Sequence, residues 1–141
     1  MRIRLIVSVT ALALAALACA PLSSAGPNTA ASASELQAAL AALPAGDAAR
    51  GQQVFSSAQP CHVCHMDQPI GPKFPGDPPL AARAASRRPG YTAELYLYES
   101  MVNPGAYVVP GFQDGIMPSD FGKTLTQQEL ADLVAYLRTL Q

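Results

Sequence analysis

Histidine and cysteine are scarce in this chain, which has two histidines and three cysteines among its 141 residues. No cysteine or histidine follows His65, so the second pair of ligands that a structural zinc site usually needs is missing. Two of the cysteines, Cys61 and Cys64, lie three residues apart directly before His65, and the third, Cys19, lies in an apolar segment far upstream. This distribution argues against a framework of disulfide bonds.

Strand patterns, repeats and positive charge are also in short supply. Few segments alternate apolar and polar residues as a strand would, we find no internal repeat, and the βαβ context of a thioredoxin-like cysteine pair is missing. Without residues 1–25 the chain keeps seven basic and ten acidic residues, a formal charge of −3. Such a chain is not expected to bind nucleic acid, and we expect its partners to present basic patches.

The first residues are typical of an export signal. A basic start is followed by the apolar, uncharged segment from Leu5 to Ala20, which is shorter than the roughly 20 residues of a membrane span. Small residues before Gly26 predict a signal over residues 1–25 and a periplasmic or other extracytoplasmic location. Cys19 allows two interpretations: it is lipidated and attaches the protein to a membrane, or it is discarded with the signal. An uncleaved anchor also remains open.

Residues 26–46 are predicted to be a linker, in which 34–43 can form a short alanine-rich helix, and residues 47–141 to be the functional domain. Two segments of this domain, 66–90 and 105–123, are expected to be irregular, because six prolines in the first block any long helix. Irregular loops this long need a surface to wrap around. Helices are predicted where a capping residue precedes a helical pattern: from Asp47 to about Ser56, from Thr92 to about Val102, and from Thr126 to the C-terminus.

Cys61-His62-Val63-Cys64-His65 is the most specific motif in the chain, because Cys-x-x-Cys-His is the attachment pattern of c-type haem. On a helical turn, residues three and four apart share a face. Both thiols can therefore bond the haem edge while His65 ligates the iron. Gly71 and Pro72 follow closely, and a backbone carbonyl there is placed to accept the free N–H of His65. His62 is expected to be a surface residue.

A methionine as sixth ligand would close the iron site and raise its reduction potential. Met66 is too close to His65 to reach the other side of the ring. Met117 lies between Gly115 and Pro118 in a segment expected to be extended, which favours it as the ligand, with Met101 in a predicted helix as its competitor. The basic cluster of Arg83, Arg87 and Arg88 is interpreted as a solvated face; the alternatives are a docking patch or contacts to the haem propionates.

From Asp47 to Leu140 the sequence resembles the class I monohaem cytochromes c. Gly51 and Phe55 match the N-terminal helix of that family, which crosses the C-terminal helix near an aromatic residue, here Tyr136. The resemblance implies an all-α fold of about four short helices and long loops wrapped around one covalent haem c. The matched site residues are the motif cysteines, the ligand histidine, the proline carbonyl and the methionine loop: Cys61, Cys64, His65, Pro72 and Met117.

The stretch 99–104, continuing to Met117-Pro118, is similar to small cytochrome domains attached to bacterial respiratory oxidases. In those domains the position of Met101 is usually aliphatic, which favours Met117. The resemblance implies a single-electron carrier rather than an enzyme, in a bacterial respiratory or photosynthetic chain, with redox partners such as a quinol-oxidising complex and a terminal oxidase. Two alternatives are a haem subunit of a larger membrane complex, and a haem enzyme or gas sensor with an open iron site.

Overall fold

Helices and connecting loops make up the described part of the chain. The structure is a computed structural model that describes residues 31–58, 61–68 and 70–141; the predicted signal with Cys19, residues 26–30 and Pro69 lie outside these ranges. The all-α prediction is confirmed, with six α-helices in the described ranges where about four were expected. Their bounds are α1 (Ala33–Ala41), α2 (Ala48–Gln53), α3 (Leu80–Arg87), α4 (Ala93–Val102), α5 (Phe121–Thr124) and α6 (Gln127–Leu137).

The predicted capping residues start their helices as expected. Asp47 accepts a hydrogen bond from the backbone N–H of Arg50 at the start of α2, and Thr92 accepts one from the backbone N–H of Leu95 at the start of α4. Thr126 and Glu129 form a reciprocal capping box at the start of α6. Each side chain satisfies a backbone donor that has no partner within its helix. None of the described helices has the length and apolar run that a membrane crossing requires.

Two loops predicted to be irregular contain helices. Helix α3 occupies 80–87, so the prediction for 66–90 is wrong there. Its prolines fall outside the helix: Pro79 is the N-cap residue, where no backbone N–H is needed, and Pro89 follows the end. The single turn of α5 interrupts the second predicted loop in the same way. Helix α2 ends earlier than expected and continues as the π-helical segment 54–58.

The predicted linker includes part of the packed structure. The short helix expected over 34–43 is present as α1, and Leu36 on it is only 4% exposed. Leu40 and Leu43, which follow Leu36 at helical spacing, pack against the same core. Helix α4 lies at the centre of this core and contacts α1, α3, α5 and α6. Residues 33–43 are therefore packed onto the domain rather than serving as a free connection.

Helices α2 and α6 cross at very short range, as the resemblance implied. A Cβ atom built on Gly51 would lie 2.0 Å from the carbonyl oxygen of Asp132 and 2.8 Å from Cβ of Tyr136. One turn further along, the ring of Phe55 packs on Tyr136 with 5.4 Å between the ring centroids. Only glycine allows the two backbones to approach this closely.

A buried carboxylate joins the same two helices. Asp132 is 2% exposed, and its oxygens accept hydrogen bonds from Nε and Nη2 of Arg50 at 2.8 and 3.0 Å. The backbone N–H of Asp47 and the side-chain amide of Gln128 donate to it at 2.7 and 2.9 Å. The bonds from Arg50 hold the pKa of Asp132 below its ordinary value, although burial acts in the opposite direction. The carboxylate therefore stays ionised inside the domain.

We expect Asp132→Asn to lower the free energy of unfolding at pH 7 by about 1–3 kcal/mol, because charge-assisted hydrogen bonds are lost. The folded-state pKa of Asp132 is depressed, so its stabilisation is complete above the unfolded pKa of about 3.9. It is lost as the pH falls through the folded pKa. Denaturant unfolding of wild type and Asp132→Asn at pH 7 and below pH 4 measures this effect. If the two proteins differ in free energy of unfolding by the same amount at both pH values, the prediction is contradicted.

Candidate functional site

The Cys-x-x-Cys-His motif forms a helical turn beside a cleft. Cys61 and His62 are helical, and the segment Val63–Asp67 continues as a π-helical turn, a form frequent at functional sites. Cys61 and Cys64 do not form a disulfide, and burial raises the pKa of the Cys61 thiol. Both thiols and the imidazole of His65 line the same cleft. The motif thus presents two sulfurs and one imidazole to one space, as the helical spacing predicted.

The imidazole of His65 has one nitrogen engaged by the protein. Its Nδ1 donates to the carbonyl oxygen of Pro72 at 2.8 Å, the contact anticipated from the sequence. A Cβ atom on Gly71 would lie 2.9 Å from Cε1 of His65, so this position requires glycine. Burial lowers the pKa of His65, and the bond to Pro72 acts in the opposite direction. The ring is therefore neutral at pH 7, with Nε2 free to ligate a metal.

Phe74 is a site residue that the sequence analysis missed. Its ring stacks on the imidazole of His65, with 4.1 Å between the centroids and 16° between the planes. It lines the cleft together with Pro72. The one available signal was position: Phe74 follows two residues after the carbonyl that orients the imidazole, in a loop otherwise rich in proline and glycine.

The basic cluster is not the solvated face that was expected. Arg83 donates to the carbonyl oxygens of Pro78 and Lys73 at 2.8 and 2.9 Å, and also to that of Phe74. Arg88 pairs with the buried carboxylate of Glu99 and stacks over the ring of Tyr91. Only Arg87 has no such contact among those described, and it lines the cleft with Arg83. The prediction failed because Arg83 and Arg88 bond to residues nine and eleven positions away, Phe74 and Glu99. The spacing of charges along the sequence does not indicate such contacts.

The cleft has two adjoining lobes that share His65, Pro72, Phe74, Met101 and Met117 among their lining residues. The first, which we call the polar lobe, is lined by Arg83, Arg87, Tyr96, Ser100 and Tyr107 among apolar residues. The second, which we call the motif lobe, is lined by both motif cysteines and is almost wholly apolar. An apolar cleft with a few convergent polar groups suits an amphipathic ligand.

Both candidate methionines reach this cleft. Met117 is partly buried in its loop and lines both lobes. Met101 is 6% exposed in α4, packs in the core, and also lines both lobes. Met66 lines neither. The structure therefore brings Cys61, Cys64, His65, Pro72 and Met117 to one cleft, and it brings Met101 there as well.

This donor set fits a haem. Two thiols at the attachment spacing, a neutral imidazole with a free Nε2, and a thioether are the groups that anchor and ligate haem iron. Among the described residues there is no group of three histidine, cysteine, aspartate or glutamate side chains that would bind a bare metal ion. An all-α fold around such a cleft defines the class of haem-binding helical proteins.

The chain belongs to the cytochrome c family, whose model, described as Cytochrome c, matches residues 48–141. The match begins just after the α2 cap residue Asp47 and leaves α1 outside. No curated protein and no solved structure matches the chain. Membership of this family implies that the chain binds haem c and that its general role is haem-based electron transfer.

Proposed function

We propose that this chain is a single-electron carrier that binds one haem c covalently through Cys61 and Cys64 and ligates the iron with His65 and Met117. One observation carries the proposal: two thiols, an imidazole and the thioethers of Met117 and Met101 line a single apolar lobe. Met117 is proposed as the ligand because it lies in a loop, whereas Met101 is held in α4. When bound there, haem c supplies the Fe(III)/Fe(II) couple. The axial pair of imidazole and thioether is typical of electron-transfer cytochromes, whereas an open position favours reaction with small ligands.

The surrounding residues support electron transfer without chemistry at the iron. Pro72 orients His65 through Nδ1, and Gly71 leaves the room that this orientation needs. Phe74 and Leu137 add apolar surface that excludes water from the cleft. Met117 lines the same cleft as His65 and would supply the second protein ligand to the iron. Because His65 and Met117 would ligate the iron in both redox states, electron transfer would require little rearrangement of the protein, and no substrate is transformed.

We infer that the protein works outside the cytoplasm, in a bacterial respiratory or photosynthetic chain. The signal-like residues 1–25 support an extracytoplasmic location, and lipidation of Cys19 would attach the protein to a membrane. Without those residues the formal charge is −3, which favours partners with basic docking patches. A quinol-oxidising complex as donor and a terminal oxidase as acceptor fit this description.

Covalent attachment gives a direct test of the proposal. The exported wild-type protein should gain the mass of one haem and keep its colour after denaturation and acid extraction. The double variant Cys61→Ser/Cys64→Ser should release the pigment, because no thioether bond can form. His62→Asn is the matched control inside the motif: His62 bonds Asp67 at 3.0 Å on the surface, so the variant should keep its haem. A wild-type chain without added mass would refute the proposed function.

A further inference from the structure

Two groups from one loop hold the imidazole of His65. Pro72 accepts a hydrogen bond at the ring edge, and Phe74 covers one ring face at 4.1 Å with nearly parallel planes. Gly71 leaves room for the ring, because a Cβ atom at this position would lie 2.9 Å from Cε1 of His65. Turning the imidazole about its Cβ–Cγ bond would break the bond to Pro72 and separate the stacked rings. The plane of the ring is therefore set by the loop 71–74.

The loop itself is anchored from several directions. Arg83 on α3 donates to the carbonyl oxygens of Lys73 and Phe74 within the loop and to that of Pro78 four residues beyond it. The backbone N–H of Phe74 donates to the carbonyl of His65 at 3.2 Å, so the loop is also tied to the motif. The N–H of Gly76 donates to the carbonyl of Gln141 at 3.0 Å, near the end of α6. These bonds fix the backbone that carries the Phe74 ring.

We propose that Phe74, on a loop anchored by Arg83, is a positioning residue that fixes the plane of the His65 imidazole and raises the reduction potential of the iron. The inference rests on the proposed ligation of that iron by His65. An apolar ring against the ligand keeps water away from it and so disfavours the more positively charged oxidised state. A rigid ligand plane also keeps the overlap between imidazole and iron orbitals constant.

Replacing Phe74 by leucine removes the flat cover over the imidazole face, so that water can approach the ligand, while the side chain stays apolar and can still pack in the loop. We expect Phe74→Leu holoprotein to have a more negative potential, with about a tenfold lower ratio of reduced to oxidised protein at a fixed ambient potential, which is about 59 mV for one electron. The haem-methyl resonances of the oxidised protein, which report the plane of the axial imidazole, should move as well. Phe74→Tyr should retain both wild-type values, because its ring can stack in the same way.

Tyr136→Leu is the matched control. Tyr136 packs on Phe55 as Phe74 does, at centroid distances of 5.4 and 5.8 Å, but Tyr136 does not line the cleft. Its replacement costs packing without touching His65, so the potential and the haem-methyl resonances should stay near wild type. If the potential and the resonances change equally in Phe74→Leu and Tyr136→Leu, the effect comes from a general loss of packing. If they do not change in Phe74→Leu, Phe74 does not position the imidazole. Either result overturns the inference.

Arg83→Lys provides a second variant that leaves the stacked ring in place and keeps the positive charge beside the cleft while losing the guanidinium bonds to the loop. It should shift the potential in the same direction by a smaller amount, because the loop loses part of its anchoring. If Phe74→Leu does not accumulate with haem, the Arg83 variant tests the inference in its place. A wild-type potential and wild-type haem-methyl resonances in that variant would overturn the inference. The haem content of the wild type separates the two proposals: a wild type without covalent haem refutes the proposed function, whereas unaltered variants of a haem-loaded protein refute only the positioning role.

Discussion

Met117→Ala should abolish the sulfur-to-iron absorption band of the oxidised protein and let carbon monoxide bind the reduced iron. Met117 lines both lobes of the cleft from a loop, so its thioether can approach an iron held at His65 without moving a helix. Alanine supplies neither a ligand nor the bulk to fill the space. Because a methionine ligand raises the potential, the variant should also be easier to oxidise. Visible spectra in both redox states, with carbon monoxide added to the reduced form, measure the first two effects, and a redox titration followed by the same spectra measures the third.

Met101→Leu is the control, because Met101 lines the same lobes and is the rival ligand. Leucine nearly conserves its volume in the core, so the fold should be kept at a cost below about 1.5 kcal/mol. The sulfur band should survive in this variant. A band that survives Met117→Ala and disappears in Met101→Leu would assign the sixth ligand to Met101 instead.

Gly51→Ala should be strongly destabilising although it adds a single methyl group. The added Cβ would lie 2.0 Å from the carbonyl oxygen and 2.5 Å from the carbonyl carbon of Asp132, both of which are backbone atoms that no rotamer change can move. Helices α2 and α6 would have to separate, which would also strain the bonds between Arg50 and Asp132. We expect a loss of about 3 kcal/mol, the upper part of the range for overpacked interiors.

Gly105→Ala is the matched control for this change. The nearest atom to its new Cβ would be a carboxylate oxygen of Asp114 at 3.3 Å, on an exposed side chain that can turn away. Its free energy of unfolding in denaturant should stay within about 0.5 kcal/mol of wild type. Similar losses in Gly51→Ala and Gly105→Ala would show that the short distance between α2 and α6 does not limit stability.

The predictions that succeeded depend on neighbours in the chain. The caps at Asp47, Thr92 and Thr126 are bonds to a backbone N–H three residues further on, so the residue types and their spacing suffice to predict them. The motif at 61–65 is equally local, because a helical turn places its two sulfurs and imidazole on one side. Gly51 and Phe55 were informative for the same reason, together with the family resemblance.

The sequence by itself therefore determined the class of cofactor, the all-α fold and most helix starts. The tertiary structure alone decided that Asp132 is buried against Asp47, 85 residues away, that α1 is packed onto the core, and that Arg83 anchors the loop bearing Phe74. It also brought both Met101 and Met117 to one cleft. Local patterns fix hydrogen bonds within one or two turns, whereas these contacts form only when distant segments pack, because that packing chooses which polar groups meet and which faces close on the cleft.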